Sequence, residues 1–131
     1  MLNLQISFRK DNLDRTLTKT VLADLATVKP AGPVPGSISV QLAGTDVDLT
    51  KLTALGGWCW IENRDLVNYV EYGVVDAGDY VPFGELLSGE AVALRLSRRL
   101  LTGDVGTASV NTLRLFAFGA PCIVDVEAYD K

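Results

Sequence analysis

The feature that most constrains the fold is an alternation of apolar and polar residues with a period of two. Near the N-terminus, Leu2, Leu4, Ile6 and Phe8 alternate with polar side chains. Successive side chains of a β-strand point to opposite faces, so this pattern predicts a strand with one buried face. Similar short segments recur along the chain, and none has a convincing helical period of 3.6 residues. The chain is therefore predicted to be all-β.

Turn-forming residues separate about eight such segments. The predicted strands are 2–8, 16–25, 36–42, 55–63, 69–74, 90–97, 111–118 and 122–129. The polar turn at 63–68 predicts that the strands on either side of it form a β-hairpin. By contrast, 76–89 contains Pro82 and three glycines and is predicted to be mostly loop, and 46–52 a turn or at most one helical turn.

Short strands with turns between them are typical of an antiparallel sandwich or barrel. A jelly-roll-like β-sandwich is favoured, because a proline-rich crossover at 29–36 accompanies about eight strands. An immunoglobulin-like sandwich is the alternative, since periodicity does not reveal strand order. The 131 residues fit a single domain, 1–131, within which residues 1–27 are expected to form an N-terminal hairpin or arm.

Composition argues against several functional classes. The chain contains no histidine, which removes Ser-His-Asp and Cys-His catalysis and imidazole metal sites. Its net charge is −4, and Arg95, Arg98 and Arg99 form its one basic cluster, so nucleic-acid binding is not expected. No apolar stretch approaches the ~18 residues that span a bilayer, and no phosphate-binding glycine loop is present. We expect no enzyme activity, no cofactor and no membrane contact.

A few residues still offer weaker chemical alternatives. Glu62 follows two tryptophans and is the best candidate for a carboxyl group with a raised pKa, although an ion pair with Arg64 is the simpler expectation. Cys59 lacks a partner base, and both it and Cys122 are expected to be buried free thiols. Loop carboxylates provide the only candidate calcium ligands, in two pairs: Asp46 with Asp48, and Asp76 with Asp79.

Trp58, Trp60 and Glu62 are spaced two apart and therefore share one face of a predicted strand. Cys59 and Ile61 share the other face. The favoured interpretation places the tryptophans in the core, where their large area contributes most to packing. If they instead face outward, they form either an oligomer contact, together with Arg114, Phe116 and Phe118 of another strand, or a platform for sugar rings.

Two segments carry a resemblance to a known family. The first runs from Leu55 through Trp58, an Asn-x-Asp turn at 63–65 and Val74; the second has the form Leu-x-x-Gly-Glu followed by an apolar strand, within 83–96. Both resemble small β-sandwich structural proteins encoded in the virion gene clusters of tailed phages.

The resemblance implies a non-enzymatic structural protein of the virion, made in the host cytoplasm. Within that class, a capsid decoration or cement protein is expected, which forms a homotrimer and binds the major capsid protein or other virion proteins. A tail, fibre or head–tail-junction component is the alternative within the class, and a carbohydrate-binding module the alternative outside it. The expected partner interface comprises Trp58, Trp60, Glu62, Arg95, Arg98, Arg99 and Arg114.

Overall fold

The computed structural model describes residues 2–8, 17–23, 34–52, 56–76, 78–97, 100 and 112–129. These residues form β-strands and no helix, so the all-β prediction is confirmed. The strands are β1 (Leu2–Phe8), β2 (Leu17–Ala23), β3 (Val34–Val40), β4 (Thr45–Asp46), β5 (Trp58–Asn63), β6 (Val70–Asp76), β7 (Asp79–Leu86), β8 (Ala91–Arg95), β9 (Thr112–Ala117) and β10 (Cys122–Ala128).

Among the described strands, β1 and β2 pair with each other and with no other, in an antiparallel register that places Leu2 opposite Ala23 and Phe8 opposite Leu17. The other eight strands form two antiparallel sheets of four. The first sheet has the order β3-β10-β5-β8, and the second has the order β4-β9-β6-β7. The antiparallel sandwich predicted from the alternating pattern is therefore confirmed.

The strand order identifies the topology. β6 pairs with β7, β5 with β8, β4 with β9 and β3 with β10, so each pair encloses the previous one along the chain. This nesting is that of a single long hairpin wrapped into two sheets, which is the jelly roll. An immunoglobulin sandwich does not place its first and last strands side by side in this way. The favoured jelly-roll topology thus holds over the immunoglobulin alternative.

The core lies between the two sheets and follows directly from the alternation. On β5, Cys59 and Ile61 point inward, and on β10 Val124 and Val126 do the same. Leu115 of β9 meets them from the second sheet and is also fully buried. Burying a side chain of this size contributes roughly 1.5–3 kcal/mol, so these residues supply much of the stability of the sandwich.

The predicted hairpin of 55–63 and 69–74 is wrong. β5 lies in the first sheet between β10 and β8, whereas β6 lies in the second sheet between β9 and β7. The polar segment 64–69 therefore crosses from one sheet to the other. A loop of six residues is long enough to cross the sandwich, and turn-forming residues do not distinguish this from a turn within one sheet.

The predictions for 76–89 and 46–52 also need correction. Residues Asp79–Leu86 form β7, although they include Pro82 and Gly84. β7 is an edge strand, where proline costs no ladder hydrogen bond, and a bulge between Tyr72 and Gly73 adjusts its register with β6. Thr45–Asp46 forms the short strand β4, which pairs with β9 opposite Leu115 and Arg114.

Candidate functional site

One end of the sandwich is formed by four loops, 41–44, 64–69, 87–90 and 118–121, which we call the loop end. Hydrogen bonds connect these loops to one another. Ala117 N–H donates to the Gln41 carbonyl at 3.1 Å, and Phe118 N–H donates to the Tyr69 carbonyl at 3.1 Å. The ring of Phe118 also stacks on Tyr69, with 4.6 Å between the ring centroids. The loop end is therefore a connected surface built from both sheets.

Asn63, the last residue of β5, joins two of these loops. Its side chain is fully buried. Asn63 Nδ2 donates to the carbonyls of Asn68 at 2.9 Å, Leu86 at 3.1 Å and Leu87 at 3.2 Å. Asn63 Oδ1 accepts a hydrogen bond from Asp65 N–H at 3.0 Å. One buried amide thus satisfies backbone groups of both the 64–69 and the 87–90 loops.

Asp65 fixes the conformation of the 64–69 loop. Its Oδ1 accepts hydrogen bonds from the backbone N–H groups of Asn68 and Val67. These bonds lower the pKa of the Asp65 carboxyl, because they stabilise its charged form. Ser88 Oγ donates to the Asp65 carbonyl at 2.7 Å, which ties the neighbouring loop to the same residue.

The two motifs that carry the family resemblance meet at this end of the sandwich. Asn63 and Asp65 belong to the Asn-x-Asp turn, and Glu90 ends the Leu-x-x-Gly-Glu segment. Asn63 N–H donates to the Glu90 carbonyl at 2.9 Å, and Gly89 N–H donates to the Asn63 carbonyl at 3.0 Å. Glu90 Oε2 in turn accepts from Leu87 N–H at 2.8 Å. Both motifs therefore build the loop end.

The loop end exposes large apolar side chains. Leu66 and Val67, at the tip of the 64–69 loop, are 90% and 84% exposed. Leu87 and Leu42, on two neighbouring loops, are each about half exposed. No role was predicted for these residues from the sequence. The available signal was the pair Leu66-Val67 inside an otherwise polar turn, where two adjacent apolar residues have no core to enter.

A second candidate surface is the outer face of the first sheet, which we call the tryptophan face. Trp58, Trp60 and Glu62 point outward, because Cys59 and Ile61 on the same strand are buried. The favoured placement of both tryptophans in the core is therefore wrong. Both faces of this strand are apolar, and the smaller Cys59 and Ile61 fit the tightly packed space between the sheets.

The two tryptophans have different surroundings. The guanidinium of Arg95, directly across from Trp58 on β8, lies 5.0 Å from the centroid of the Trp58 ring and covers it. Arg95 Nη1 also donates to the Gly56 carbonyl at 2.8 Å. Trp60 is 39% exposed, and its Nε1 donates to Glu62 Oε2 at 3.2 Å. Trp60 is therefore the ring that remains open to a partner.

The predicted interface residues do not all lie on one surface. Trp58, Trp60, Glu62 and Arg95 lie together on the tryptophan face. Arg114 lies on the second sheet, where its guanidinium pairs with the Asp46 carboxylate at 2.6 and 3.1 Å. Arg98 and Arg99 lie outside the described residues.

The alternation predicted for 111–118 is present in β9. Leu115 points into the core, whereas Phe116 and Arg114 point outward. The Phe116 ring packs against Tyr80, with 4.6 Å between centroids. The Arg114–Asp46 pair holds the short strand β4 against β9, and the Tyr80 ring reaches from the edge strand β7 across β6 to β9.

The residues considered for chemistry occupy structural positions. Cys59 is a buried free thiol, and burial raises its pKa to about 12, which keeps it protonated at neutral pH. Glu62 Oε1 lies 3.7 Å from Arg64 Nη1, the ion pair expected for it. Asp48 Oδ1 accepts a hydrogen bond from Thr50 Oγ1 at 2.6 Å.

Within the described ranges, no group of three or more histidine, cysteine or acidic residues could hold a metal ion. No helix long and apolar enough to cross a membrane occurs in those ranges.

Comparison with protein-family models, with curated proteins and with solved structures finds no significant match for this chain. The geometry of the loop end and of the tryptophan face is therefore the basis for assigning a function.

Proposed function

We propose that this protein is a non-enzymatic structural subunit of a tailed-phage virion, a capsid decoration or cement protein. Its loop end would dock onto the major capsid protein or another virion protein. The proposal combines the resemblance of 55–96 to phage structural proteins with the jelly-roll topology, which viral capsid domains also use. Fold alone does not assign a function, and the loop end is the surface that supports the docking role.

The observation that carries the proposal is the exposed pair Leu66 and Val67. Exposed single apolar residues are common, but two adjacent ones at the tip of a fixed loop are a feature of partner surfaces. Leu87 extends the apolar area onto the 87–90 loop. A hydrogen bond from Ser88 Oγ to the Asp65 carbonyl connects that loop to the 64–69 loop.

The rigidity of the loop favours binding. Asp65 and Asn63 together accept or donate six hydrogen bonds that hold the two loops in place. Because the loop is already ordered, docking does not incur the entropy cost of fixing it. Full burial of Leu66 and Val67 in a partner pocket would contribute roughly 1.5–3 kcal/mol each.

The test uses particles assembled from a phage genome that lacks this gene. Purified protein should bind these particles saturably in a co-sedimentation assay. The double variant Leu66→Ser/Val67→Ser should bind at least tenfold more weakly. Val81→Ser is the matched control, because Val81 is half exposed on the edge strand β7, away from the loop end, and its binding should equal that of the wild type.

Two results would overturn the proposal. One is the absence of saturable binding to the particles. The other is equal binding by the double variant and the Val81→Ser control, with circular dichroism showing that both are folded. Light scattering of the free protein tests the homotrimer expected from the family resemblance separately, since a monomer at micromolar concentration would contradict that expectation alone.

A further inference from the structure

The tryptophan face combines an open aromatic ring with hydrogen-bonding groups arranged around it. Trp60 lies between Glu127 of β10 and Ala93 of β8 in the sheet register. Ala93 has a small side chain, so nothing large stands beside the indole on the β8 side. The Trp60 side chain is also held in place by its hydrogen bond to Glu62. This gives a flat apolar surface with a fixed orientation.

The polar groups around Trp60 include both donors and acceptors. Arg64 Nη1 lies 3.7 Å from Glu62 Oε1 and 3.4 Å from Asp125 Oδ2. On the other side, Tyr129 OH donates to Glu127 Oε2 at 3.0 Å. Tyr129 N–H donates to the Trp58 carbonyl at 3.0 Å, which keeps Tyr129 beside β5. These side chains are partly exposed, so their unused donor and acceptor positions remain available to a ligand.

The balance of charge narrows the class of ligand. Three carboxylates, Glu62, Asp125 and Glu127, would repel a phosphate or another anion. Arg64 and Arg95 would oppose a strongly cationic partner. A purely apolar partner would remove these charged groups from water without replacing their hydrogen bonds, which is costly.

A neutral sugar chain satisfies both parts of this surface. The C–H groups on one face of a pyranose ring are attracted to the negative face of an aromatic ring, here Trp60. The surrounding hydroxyl groups can donate to the carboxylates and accept from Arg64, in charge-assisted hydrogen bonds. We propose that the tryptophan face is a binding site for neutral oligosaccharides, separate from the loop end, with Trp60 as the stacking residue.

The test measures binding of five neutral oligosaccharides to the full chain by isothermal titration calorimetry. The probes are cellohexaose, maltohexaose, xylohexaose, mannohexaose and N-acetylchitohexaose. At least one should bind, and its binding should change the tryptophan fluorescence. Trp60→Ala should weaken the association constant at least tenfold, and Trp60→Phe should retain part of it. Phe83→Ala is the matched control, because Phe83 is an aromatic residue exposed on β7 of the other sheet.

The results also separate this proposal from the proposed docking function. The Leu66→Ser/Val67→Ser variant should bind sugar like the wild type. The proposal is overturned if no probe binds at 10 mM, or if Trp60→Ala binds as well as Phe83→Ala does. It is also overturned if Trp60→Ala changes only the oligomeric state in light scattering, since the face would then contact a second copy of the chain.

Discussion

Asn63 is the residue whose replacement tests the construction of the loop end most directly. Its buried side chain forms hydrogen bonds to the backbone of Asp65 and Asn68 in the 64–69 loop, of Leu87 in the 87–90 loop and of Leu86 at the end of β7. The two hydrogens of Nδ2 are shared among three carbonyls, so together with the bond that Oδ1 accepts the side chain provides the equivalent of three hydrogen bonds. At about 1 kcal/mol of net stabilisation for each, Asn63→Ala would cost about 3 kcal/mol. Water can reach the part-buried carbonyls of Asn68 and Leu87 once the side chain is removed, so these two groups add no further cost. We therefore expect a loss of about 3 kcal/mol in the free energy of unfolding.

Asn63→Asp gives a sharper test, because it keeps the shape of the side chain. It replaces a donor that faces three carbonyl oxygens with a carboxylate oxygen, and it places a charge in a fully buried position. We expect Asn63→Asp to be at least as destabilising as Asn63→Ala at pH 7. The difference should shrink in acid, where the introduced carboxyl is protonated and can donate one hydrogen bond.

The measurement is urea unfolding followed by tryptophan fluorescence and by far-UV circular dichroism. A loss of about 3 kcal/mol corresponds to a fall in Tm of about 10 °C for a domain of this size. Ser37→Ala, at an exposed position on β3, is the control and should change stability by less than about 0.5 kcal/mol. A cost below about 1 kcal/mol for Asn63→Ala, or an Asn63→Asp variant as stable as wild type at pH 7, would refute the reasoning.

Three further predictions concern other parts of the sandwich. Gly84→Ala should lower stability by about 1–3 kcal/mol in urea unfolding, because a Cβ at Gly84 would lie only 2.6 Å from Cζ of Tyr72; an unchanged midpoint would contradict this contact. Cys59 and Cys122 are both buried, so neither should react with a thiol reagent until the protein unfolds, and rapid labelling of native protein would count against their positions. Asp65 has a lowered pKa in the folded state, so its stabilising contribution is present above pH 3.8 and is lost as the pH falls through the folded-state pKa. Asp65→Ala should therefore flatten the acid side of the stability–pH profile, and an identical profile would exclude this role.

Periodicity was sufficient to predict the strands but not their partners. The alternation in β5 and β10 depends only on one face of each strand being buried, which any antiparallel sandwich requires. The order of strands depends on contacts between residues far apart in the chain, such as Ser37 with Asp125, and these leave no local pattern. This is why the turn at 63–68 indicated a hairpin, whereas the structure uses it to cross between sheets.

The candidate sites were predictable only in part. Trp58 and Trp60 were expected to share a face of the strand. Whether that face points into the core or toward solvent depends on how much space lies between the two sheets. Asn63, in phase with Cys59 and Ile61, is buried because it satisfies backbone carbonyls of loops that are distant in sequence. β7 was not predicted because Pro82 and Gly84 are typical of a loop. The strand tolerates Pro82 because it lies at the edge of the sheet, and Gly84 leaves room for the adjacent Tyr72 ring.

The pairing of the first and last strands of the sandwich determines where additions to it can be tolerated. Val34 lies opposite Ala128 in the register of β3 and β10, at the end of the sheets away from the four loops. A tag or fluorescent protein joined after β10 would therefore emerge beside the start of β3 and point away from Leu66 and Val67. The same adjacency makes the eight-stranded sandwich suitable for circular permutation once the segment before β3 is removed, since a short linker can join Ala128 to Val34 without crossing either sheet.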